Sequence, residues 1–308
     1  MLTDEQLKIR SKGIGGSEVA AVCGLNPYMR PIDVYLTKIG AAEFEETFHT
    51  ERGTFIEEGL IKWYAHRYKR AKIDFPGTLI HADHPLVIAT PDAVADDKCV
   101  VEIKAPHWRT ADQWGEPESD EIPDYYLPQT QWEMAVTGKK QADVVAFIDG
   151  NIQRHQVLFS QRLFEALLEQ AERFWRNHVV ARKPPPEDGS DSYSEFLAKQ
   201  FPRSDEKKIE SNDAEVVQLV KRYSHAKKAE EAAFEAKSKA RQSLEKIIGN
   251  HAGICGAWGS ISFKHNRDSV VTDYKALCSS LKPTAAAIAK FQTTKHGPRV
   301  FRATIKKE

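Results

Sequence analysis

The chain has 308 residues, of which 41% are hydrophobic and 29% are charged, the composition of an ordinary globular protein. This length suits one large domain or two modest ones, and the apolar content excludes disorder throughout. No run approaches 18 consecutive apolar residues, and Met1–Arg10 lacks the apolar core of a signal peptide. Four scattered cysteines predict neither a disulfide framework nor a metal clip, so we expect a cytoplasmic protein with no membrane partner.

Charge is balanced over the whole chain but segregated along it. Lysine and arginine number 44, as do aspartate and glutamate. Residues 112–124 contain six acidic residues and no basic one, whereas residues 264–308 contain ten basic and three acidic residues. Because electrostatic fields are local at physiological salt, the zero sum does not exclude a nucleic-acid partner. The basic tail is a candidate contact for a DNA backbone.

Hydrophobic spacing and turn residues predict alternating helices and strands in the first part of the chain. Gly13–Gly16 predict a turn, and Ser17 is predicted as the N-cap of a short helix. The further predicted elements are a helix over 54–68, strands over 86–89 and 99–104, a helix over 125–136, strands over 142–149 and 156–159, and a helix over 161–180. This order predicts an α/β (α+β) fold.

The remainder of the chain differs in composition. A proline-rich, acidic stretch at 183–190 predicts a linker or an exposed crossing, so we divide the chain into domains 1–182 and 183–308. An alanine-rich, charged run over 212–249 then predicts one long helix or a helical pair. The elements predicted after it are a strand over 259–265, a helix over 274–281 and a strand over 299–306. The second domain is therefore predicted as a helical extension with a small basic α/β tail.

One constellation of charged residues indicates chemistry. Asp92 precedes Glu102 and Lys104, which lie two residues apart in an apolar run and would share one face of a strand. A hairpin that turns at Asp96-Asp97 would bring Asp92 beside Glu102. Buried charge is costly unless it is paired or bound to metal, and converging carboxylates suit Mg²⁺, with Mn²⁺ as a substitute. The alternative is a surface hairpin with an incidental Glu–Lys pair.

Two predicted helices add polar residues to this constellation. Glu57 would share a helix face with Leu60 and Tyr64, where a carboxylate requires a partner. A metal role fits Glu57, and the alternative is an acid that interacts with the helix dipole. Gln131 would share a face with Met134 and could hydrogen-bond a phosphate or a metal-bound water. The alternative for Gln131 is a polar residue at a helix boundary.

These residues carry a resemblance to a known family. The segments Thr90-Pro91-Asp92 and Glu102-Ile103-Lys104 resemble the PD-(D/E)XK nuclease signature. Further motifs occur in the order of the YqaJ-type viral recombinase family, which includes lambda exonuclease. These motifs are Arg10 with Gly13–Glu18, Arg52-Gly53 with Glu57, and Tyr126–Gly138. Residues 8–150 are therefore similar to that family, and the resemblance implies a PD-(D/E)XK core with a central mixed sheet flanked by helices.

The resemblance also implies roles for individual residues. Asp92, Glu102 and the Ile103 carbonyl would hold Mg²⁺, Glu57 would complete the acidic site, and Lys104 would be the catalytic lysine. The residues that would hold the 5′-terminal phosphate are Arg10, Ser17, Thr90 and Gln131. The family often has serine where this chain has Thr90, which retains the hydroxyl group.

The function that the resemblance implies is a metal-dependent 5′-to-3′ exonuclease on double-stranded DNA. It would generate 3′ single-stranded overhangs for phage-type recombination by strand annealing. The implied partners are double-stranded DNA ends, a single-strand annealing protein and further copies of the chain in a homotrimeric ring. Two alternatives stay open, namely a metal-dependent DNA endonuclease of the same superfamily and a non-catalytic DNA-binding recombination scaffold.

Overall fold

A computed structural model describes residues 4–42, 48–205, 207–266, 271 and 273–292. The chain divides into two compact units, Met1–Gln200 and Phe201–Glu308. The boundary between these compact units falls after residue 200, whereas the sequence predicts a division after residue 182. Tyr193 explains the difference, because its ring is buried in the core of the first unit and its hydroxyl donates to the Pro185 carbonyl at 3.1 Å.

Helices make up much of the first unit. They are α1 (Asp4–Arg10), α2 (Gly16–Val22), α3 (Pro31–Lys38), α4 (Phe48–Arg67), α5 (Leu127–Thr137), α6 (Gln161–Phe174) and α7 (Asp191–Gln200). A 3-10 helix spans Trp108–Gln113, and π-helical turns over Trp175–Val180 continue α6. The predicted helices over 54–68, 125–136 and 161–180 are confirmed, although α4 begins earlier than predicted. Helices α1, α3 and α7 were not predicted.

Strands of the first unit form two sheets. The smaller sheet has the order β1-β4-β3 and consists of β1 (Ile14–Gly15), β3 (Leu79–Ile80) and β4 (Val87–Ala89). The larger sheet has the order β2-β5-β6-β7-β8 and consists of β2 (Ile73–Asp74), β5 (Ala93–Ala95), β6 (Cys99–Lys104), β7 (Gln141–Ile148) and β8 (Asn151–Leu158). Strands β6 and β7 are parallel and the other pairs of this sheet are antiparallel. The predicted α/β fold with a central mixed sheet flanked by helices is therefore confirmed.

The predicted hairpin connects β5 to β6. Asp96 and Asp97 both have positive φ, at 51° and 55°, as tight hairpin turns require. In the resulting register Ala93 lies opposite Val101, so Asp92 falls at the same end of the hairpin as Glu102.

Strand β6 is buried on both faces, which fixes the helices beside it. Val101 and Ile103 pack with Leu60 and Tyr64 of α4, in one apolar cluster. The opposite face belongs to a second cluster that includes Met134 of α5. Both helices are therefore held against the strand that carries Glu102 and Lys104.

A third contact brings the N-terminal segment to the same region. Trp132 of α5 is fully buried, and its indole Nε1 donates to the Ile14 carbonyl of β1 at 3.0 Å. Helix α2 follows β1 directly and packs on α5. The turn that was predicted at Gly13–Gly16 therefore lies beside the helix that faces β6.

A buried charge on β7 anchors the same sheet. Asp143 is 0% exposed, yet it accepts hydrogen bonds from Tyr64 at 2.6 Å and from Arg70 at 2.7 Å. A second guanidinium, that of Arg154, lies 3.5 Å from the same carboxylate. Burial alone would raise the pKa of Asp143, but the bonds from Tyr64 and Gln141 and the charge of Arg154 hold it below its ordinary value.

The second unit contains one long helix, a hairpin and short helices. Its elements are α8 (Ala214–Ile248), β9 (Gly253–Gly256), β10 (Gly259–Ser262), α9 (Tyr274–Ser280) and α10 (Ala285–Ala289). The run over 212–249 is thus one helix, which begins at the N-cap Asp213 and ends at Gly249 with a φ of 57°. The strand predicted over 299–306 lies outside the described residues. Among the described helices, none combines the length and apolarity needed to cross a bilayer.

Candidate active site

Glu102 and Lys104 project from β6 into one cluster, as their spacing predicts. The Nζ atom of Lys104 lies 2.5 Å from Oε1 of Glu102, and the two side chains are 14% and 3% exposed. Nζ also donates to Oε1 of Gln129 at 2.9 Å and lies 4.8 Å from the centre of the Tyr126 ring. Burial lowers the pKa of Lys104, but the carboxylates of Glu102 and Asp92 outweigh it and keep the pKa above its usual value. The ammonium is therefore charged at neutral pH.

Asp92 is held beside this pair by the backbone of β6. Its Oδ2 accepts the N–H of Ile103 at 2.7 Å. Burial raises the pKa of Asp92 well above its usual value, and the nearby charges of Glu102 and Glu57 raise it further. The hairpin thus brings the Asp92 carboxylate to the strand that carries Glu102, as the sequence predicts.

Glu57 approaches the cluster from α4. Its side chain is half-buried, and its pKa is raised first by burial and then by the charge of Glu102. The next residue, Glu58, instead forms an exposed pair with Lys62 at 2.5 Å. Glu57 therefore lies on the inner face of the helix, as the helical period predicts.

Two residues of α5 that sequence reasoning did not single out complete the cluster. The Nε2 of Gln129 donates to Oε1 of Glu102 at 2.6 Å and to Oε1 of Glu133 at 2.9 Å. Glu133 is 1% exposed, and its pKa is raised well above the usual value by burial and by the charges of Glu102 and Asp92. The sequence feature that could have identified this pair is the spacing of four residues between Gln129 and Glu133, because residues four apart share a helix face.

A glycine of α2 makes room for this carboxylate. A Cβ at Gly16 would lie 3.3 Å from Oε1 of Glu133 and 3.4 Å from Cγ of Gln129. The first distance is slightly shorter than ordinary van der Waals contact, so the Glu133 carboxylate would have to shift by a few tenths of an ångström to admit a larger residue. The glycine-rich turn therefore serves the close packing of the site.

The structure does not bring Gln131 to the cluster. Its Nε2 donates to the Leu158 carbonyl at 2.9 Å, its Oε1 accepts the Ser160 N–H at 2.8 Å, and the residue is 1% exposed. Both polar groups join α5 to the end of β8 and the start of α6. Two residues along a helix correspond to about 200° of rotation, so Gln129 and Gln131 face opposite sides.

Of the other residues of the implied phosphate site, Arg10 and Ser17 contact each other, and Thr90 contacts Thr78. Arg10 donates to Oγ of Ser17 at 3.1 Å, and Ser17 is exposed. Ser17 is not the predicted N-cap, because Gly15 precedes α2 and its N–H donates to the Glu18 carboxylate at 2.6 Å. The hydroxyl of Thr90, two residues before Asp92, lies 2.9 Å from that of Thr78.

The cluster fits a hard cation in its chemistry. Buried Oε2 atoms of Glu102 and Glu133 have no hydrogen-bond partner, and unsatisfied buried acceptors are costly. Within the described ranges, however, no three histidine, cysteine, aspartate or glutamate side chains are gathered closely enough to hold a metal ion. In this structure Lys104 and Gln129 bind Oε1 of Glu102, and the Ile103 N–H binds Oδ2 of Asp92. A cation bound to Glu102 would therefore replace some of these contacts.

Part of the chain matches a known family model. Residues 5–140 match the model of the YqaJ-like viral recombinase domain. That stretch includes Glu57, Asp92, Glu102, Lys104 and Glu133. The first part of the chain is therefore similar to the YqaJ-like viral recombinase domain, which confirms the resemblance drawn from the motifs.

Two relatives share part of the chain. The protein YqaJ of Bacillus subtilis (strain 168) is 28% identical over 219 residues, which cover 68% of this chain and 66% of that protein. A protein of Acanthamoeba polyphaga mimivirus is 27% identical over 151 residues, which cover 45% of this chain and 27% of that protein. The chain thus spans just under two thirds of the first relative and about a quarter of the second.

Solved structures of exonucleases align with part of the chain. An alkaline exonuclease (LHK-Exo) from Laribacter hongkongensis aligns with a TM-score of 0.48 and 20% identity, over 65% of this chain and 100% of that one. A phage related exonuclease from Haemophilus somnus 129PT aligns with a TM-score of 0.40 and 14% identity, over 56% of this chain and 96% of that one.

Proposed function

We propose that this protein is a metal-dependent exonuclease that degrades one strand of double-stranded DNA from its 5′ end. The observation that carries the proposal is the cluster on β6, where Lys104 contacts Glu102 and Asp92 binds the N–H of Ile103. A nuclease needs carboxylates for a cation and a positive charge for the phosphate, and this cluster supplies both. The YqaJ-like domain, which covers all of these residues, supports the same assignment.

The reaction proposed is hydrolysis of a phosphodiester bond. Water attacks phosphorus in line, the bond to the 3′ oxygen of the leaving nucleotide breaks, and the shortened strand keeps a 5′ phosphate. A Mg²⁺ or Mn²⁺ ion held by Asp92, Glu102 and the Ile103 carbonyl, with Glu57 completing the site, would lower the pKa of water and neutralise phosphate charge. Lys104 would orient the attacking water and add positive charge beside the pentavalent phosphorus.

The 5′ polarity follows from the family resemblance. In this proposal Arg10, Ser17 and Thr90 hold the 5′-terminal phosphate and so set the register of each cleavage step. The Arg10 guanidinium already lies 3.1 Å from Ser17, on the glycine turn that packs against the active-site helix α5. Gln131 has both polar groups engaged by backbone, and Gln129 is the glutamine next to Lys104.

The biological role proposed is end resection in phage-type recombination. The exposed 3′ strand would pass to a single-strand annealing protein, and a homotrimeric ring of this chain would enclose the duplex in the host cytoplasm. Such a ring would keep the enzyme on DNA by topology, which suits a chain with a net charge of +0.

One assay tests the activity and its polarity together. Linear duplex labelled at either the 5′ or the 3′ end, with and without a 5′ phosphate, is incubated with the protein in Mg²⁺ or in EDTA. We expect release of the 5′ label as mononucleotide in Mg²⁺ only, with phosphorylated ends preferred. Cleavage of closed circular duplex would instead identify an endonuclease, and DNA binding without Mg²⁺-dependent release would identify a non-catalytic scaffold.

A further inference from the structure

A row of three tyrosines leads from the catalytic cluster to the protein surface. The Tyr126 ring lies under Nζ of Lys104 at 4.8 Å, and the Tyr125 ring lies 4.5 Å from that of Tyr126. Tyr28 completes the row, with its ring centre 5.7 Å from that of Tyr125 and nearly perpendicular to it at 87°. Lys104 is buried, whereas Tyr28 is 72% exposed, so the row runs from the lysine into solvent.

The outer rings of this row are held in place without being buried. The Asn26 side chain accepts the N–H of Tyr28 at 2.8 Å and that of Met29 at 3.1 Å, which fixes the turn before α3. The hydroxyl of Tyr125 donates to Gln113 at 3.2 Å. Since Tyr28 buries little area, its ring contributes little to the core, and its ordered, exposed position favours a role in recognition.

We infer that Tyr28 and Tyr125 form a stacking shelf for an unpaired base of the DNA strand whose phosphate lies at Lys104. This inference rests on the proposed exonuclease function. Removal of a nucleotide requires that a strand end separate from its complement, which exposes the flat face of a base. Every base presents such a face, so aromatic stacking suits an enzyme that must accept any sequence. The row of rings begins at the ammonium of Lys104, which would contact the phosphate. The base and the phosphate of one strand would therefore be bound next to each other.

The test is a binding measurement that does not depend on cleavage. Duplex DNA with a 5′ phosphate and 2-aminopurine at the 5′ end is titrated with the protein in Ca²⁺ in place of Mg²⁺. Stacking quenches 2-aminopurine, so we expect wild-type protein to lower its fluorescence. Tyr28→Ala should abolish the quenching and weaken binding roughly tenfold, whereas Tyr28→Phe should retain both. In the cleavage assay Tyr28→Ala should raise KM by a similar factor and leave kcat nearly unchanged.

A control variant and the possible outcomes separate base stacking at Tyr28 from the proposed cleavage activity. Trp258 is 62% exposed in the second unit, and Trp258→Ala should behave as wild type. Unchanged quenching and affinity in Tyr28→Ala, or an equal loss in Tyr28→Phe, would overturn the shelf. Wild-type protein that cleaves DNA without quenching would retain the exonuclease and reject the shelf. Quenching without Mg²⁺-dependent cleavage would retain the shelf and reject the exonuclease.

Discussion

The Nζ atom of Lys104 lies 2.5 Å from Oε1 of Glu102, two residues earlier on the same strand. Both side chains are largely buried, so each offsets the cost of removing the other from water. Oε1 of Glu102 has a second donor in Gln129, while its Oε2 has none. The pair is therefore a charged, partly satisfied site, and local departures of this kind are expected at functional sites.

Replacement of Lys104 by alanine should abolish nucleotide release and preserve the fold. Glu102 keeps its bond from Gln129, so we expect a loss of about 1–3 kcal/mol in the free energy of unfolding, which leaves the protein folded. DNA binding should persist. Release of label from 5′-labelled duplex measures activity, and circular dichroism measures folding. Lys62→Ala, which removes an exposed pair with Glu58, should leave both unchanged, and wild-type turnover in Lys104→Ala would remove this lysine from the mechanism.

Gln129 and Gln131 should respond to alanine substitution in opposite ways. Gln129→Ala removes contacts to Glu102 and Lys104 and should reduce kcat by about 10- to 100-fold with little change in stability. Gln131→Ala leaves two backbone groups unpaired and should lower the free energy of unfolding by about 2 kcal/mol. Its kcat per folded molecule should stay near wild type. Urea unfolding and single-turnover cleavage separate the two effects, and a catalytic loss confined to Gln131→Ala would reverse the assignment.

Divalent cations should stabilise the protein, because two buried carboxylate oxygens lack partners. Binding at one hundred times the dissociation constant adds about 2.7 kcal/mol, which corresponds to a rise in Tm of several degrees. Thermal unfolding in Mg²⁺ and in EDTA measures the difference. The double variant Asp92→Asn, Glu102→Gln should lose the shift, whereas Glu58→Gln, on the exposed face of α4, should retain it. An equal shift in all three proteins would place the cation elsewhere.

Asp143 should be a charged position on which stability depends strongly. Asp143→Asn removes a fully buried carboxylate that binds Tyr64 and Arg70, and we expect a loss of about 3 kcal/mol in urea unfolding. Asp97→Asn is the matched control, because Asp97 pairs with Lys139 while 81% exposed and should show no measurable change. Equal stability of the two variants would contradict the role given to the buried network.

The same carboxylate predicts a pH dependence. The pKa of Asp143 is lower in the folded protein than in the unfolded chain, where it is about 3.9. The unfolded state therefore binds the proton more readily, so the stabilisation is fully present above that value and is lost as pH falls through the folded pKa. Between pH 7 and about pH 2, the unfolding free energies of wild type and Asp143→Asn should differ by a constant amount above about pH 4 and draw closer as pH falls below that value. A constant difference across that range would refute the linkage.

The local sequence pattern was sufficient to predict the hairpin of β5 and β6 and the inner face of α4. Alternation along β6 predicted that Glu102 and Lys104 share a face, and the turn at Asp96-Asp97 predicted that Asp92 lies beside them. The 3.6-residue period likewise placed Glu57 inward and Glu58 outward. These features depend on residues close in the chain, whose geometry is set by backbone stereochemistry.

Contacts between distant segments decided the rest. Helix α5 buries residues on several sides, including Gln131, Trp132, Glu133 and Met134, so no apolar stripe indicates which glutamine faces the site. The orientation of α5 follows from its packing against α2 and β6, which bring Glu133 beside Glu102. The extent of the first unit likewise depends on Tyr193, a residue that joins the core only through tertiary packing. Side-chain period is a property of the chain, but the rotation and neighbours of a helix buried on several sides are properties of the folded core.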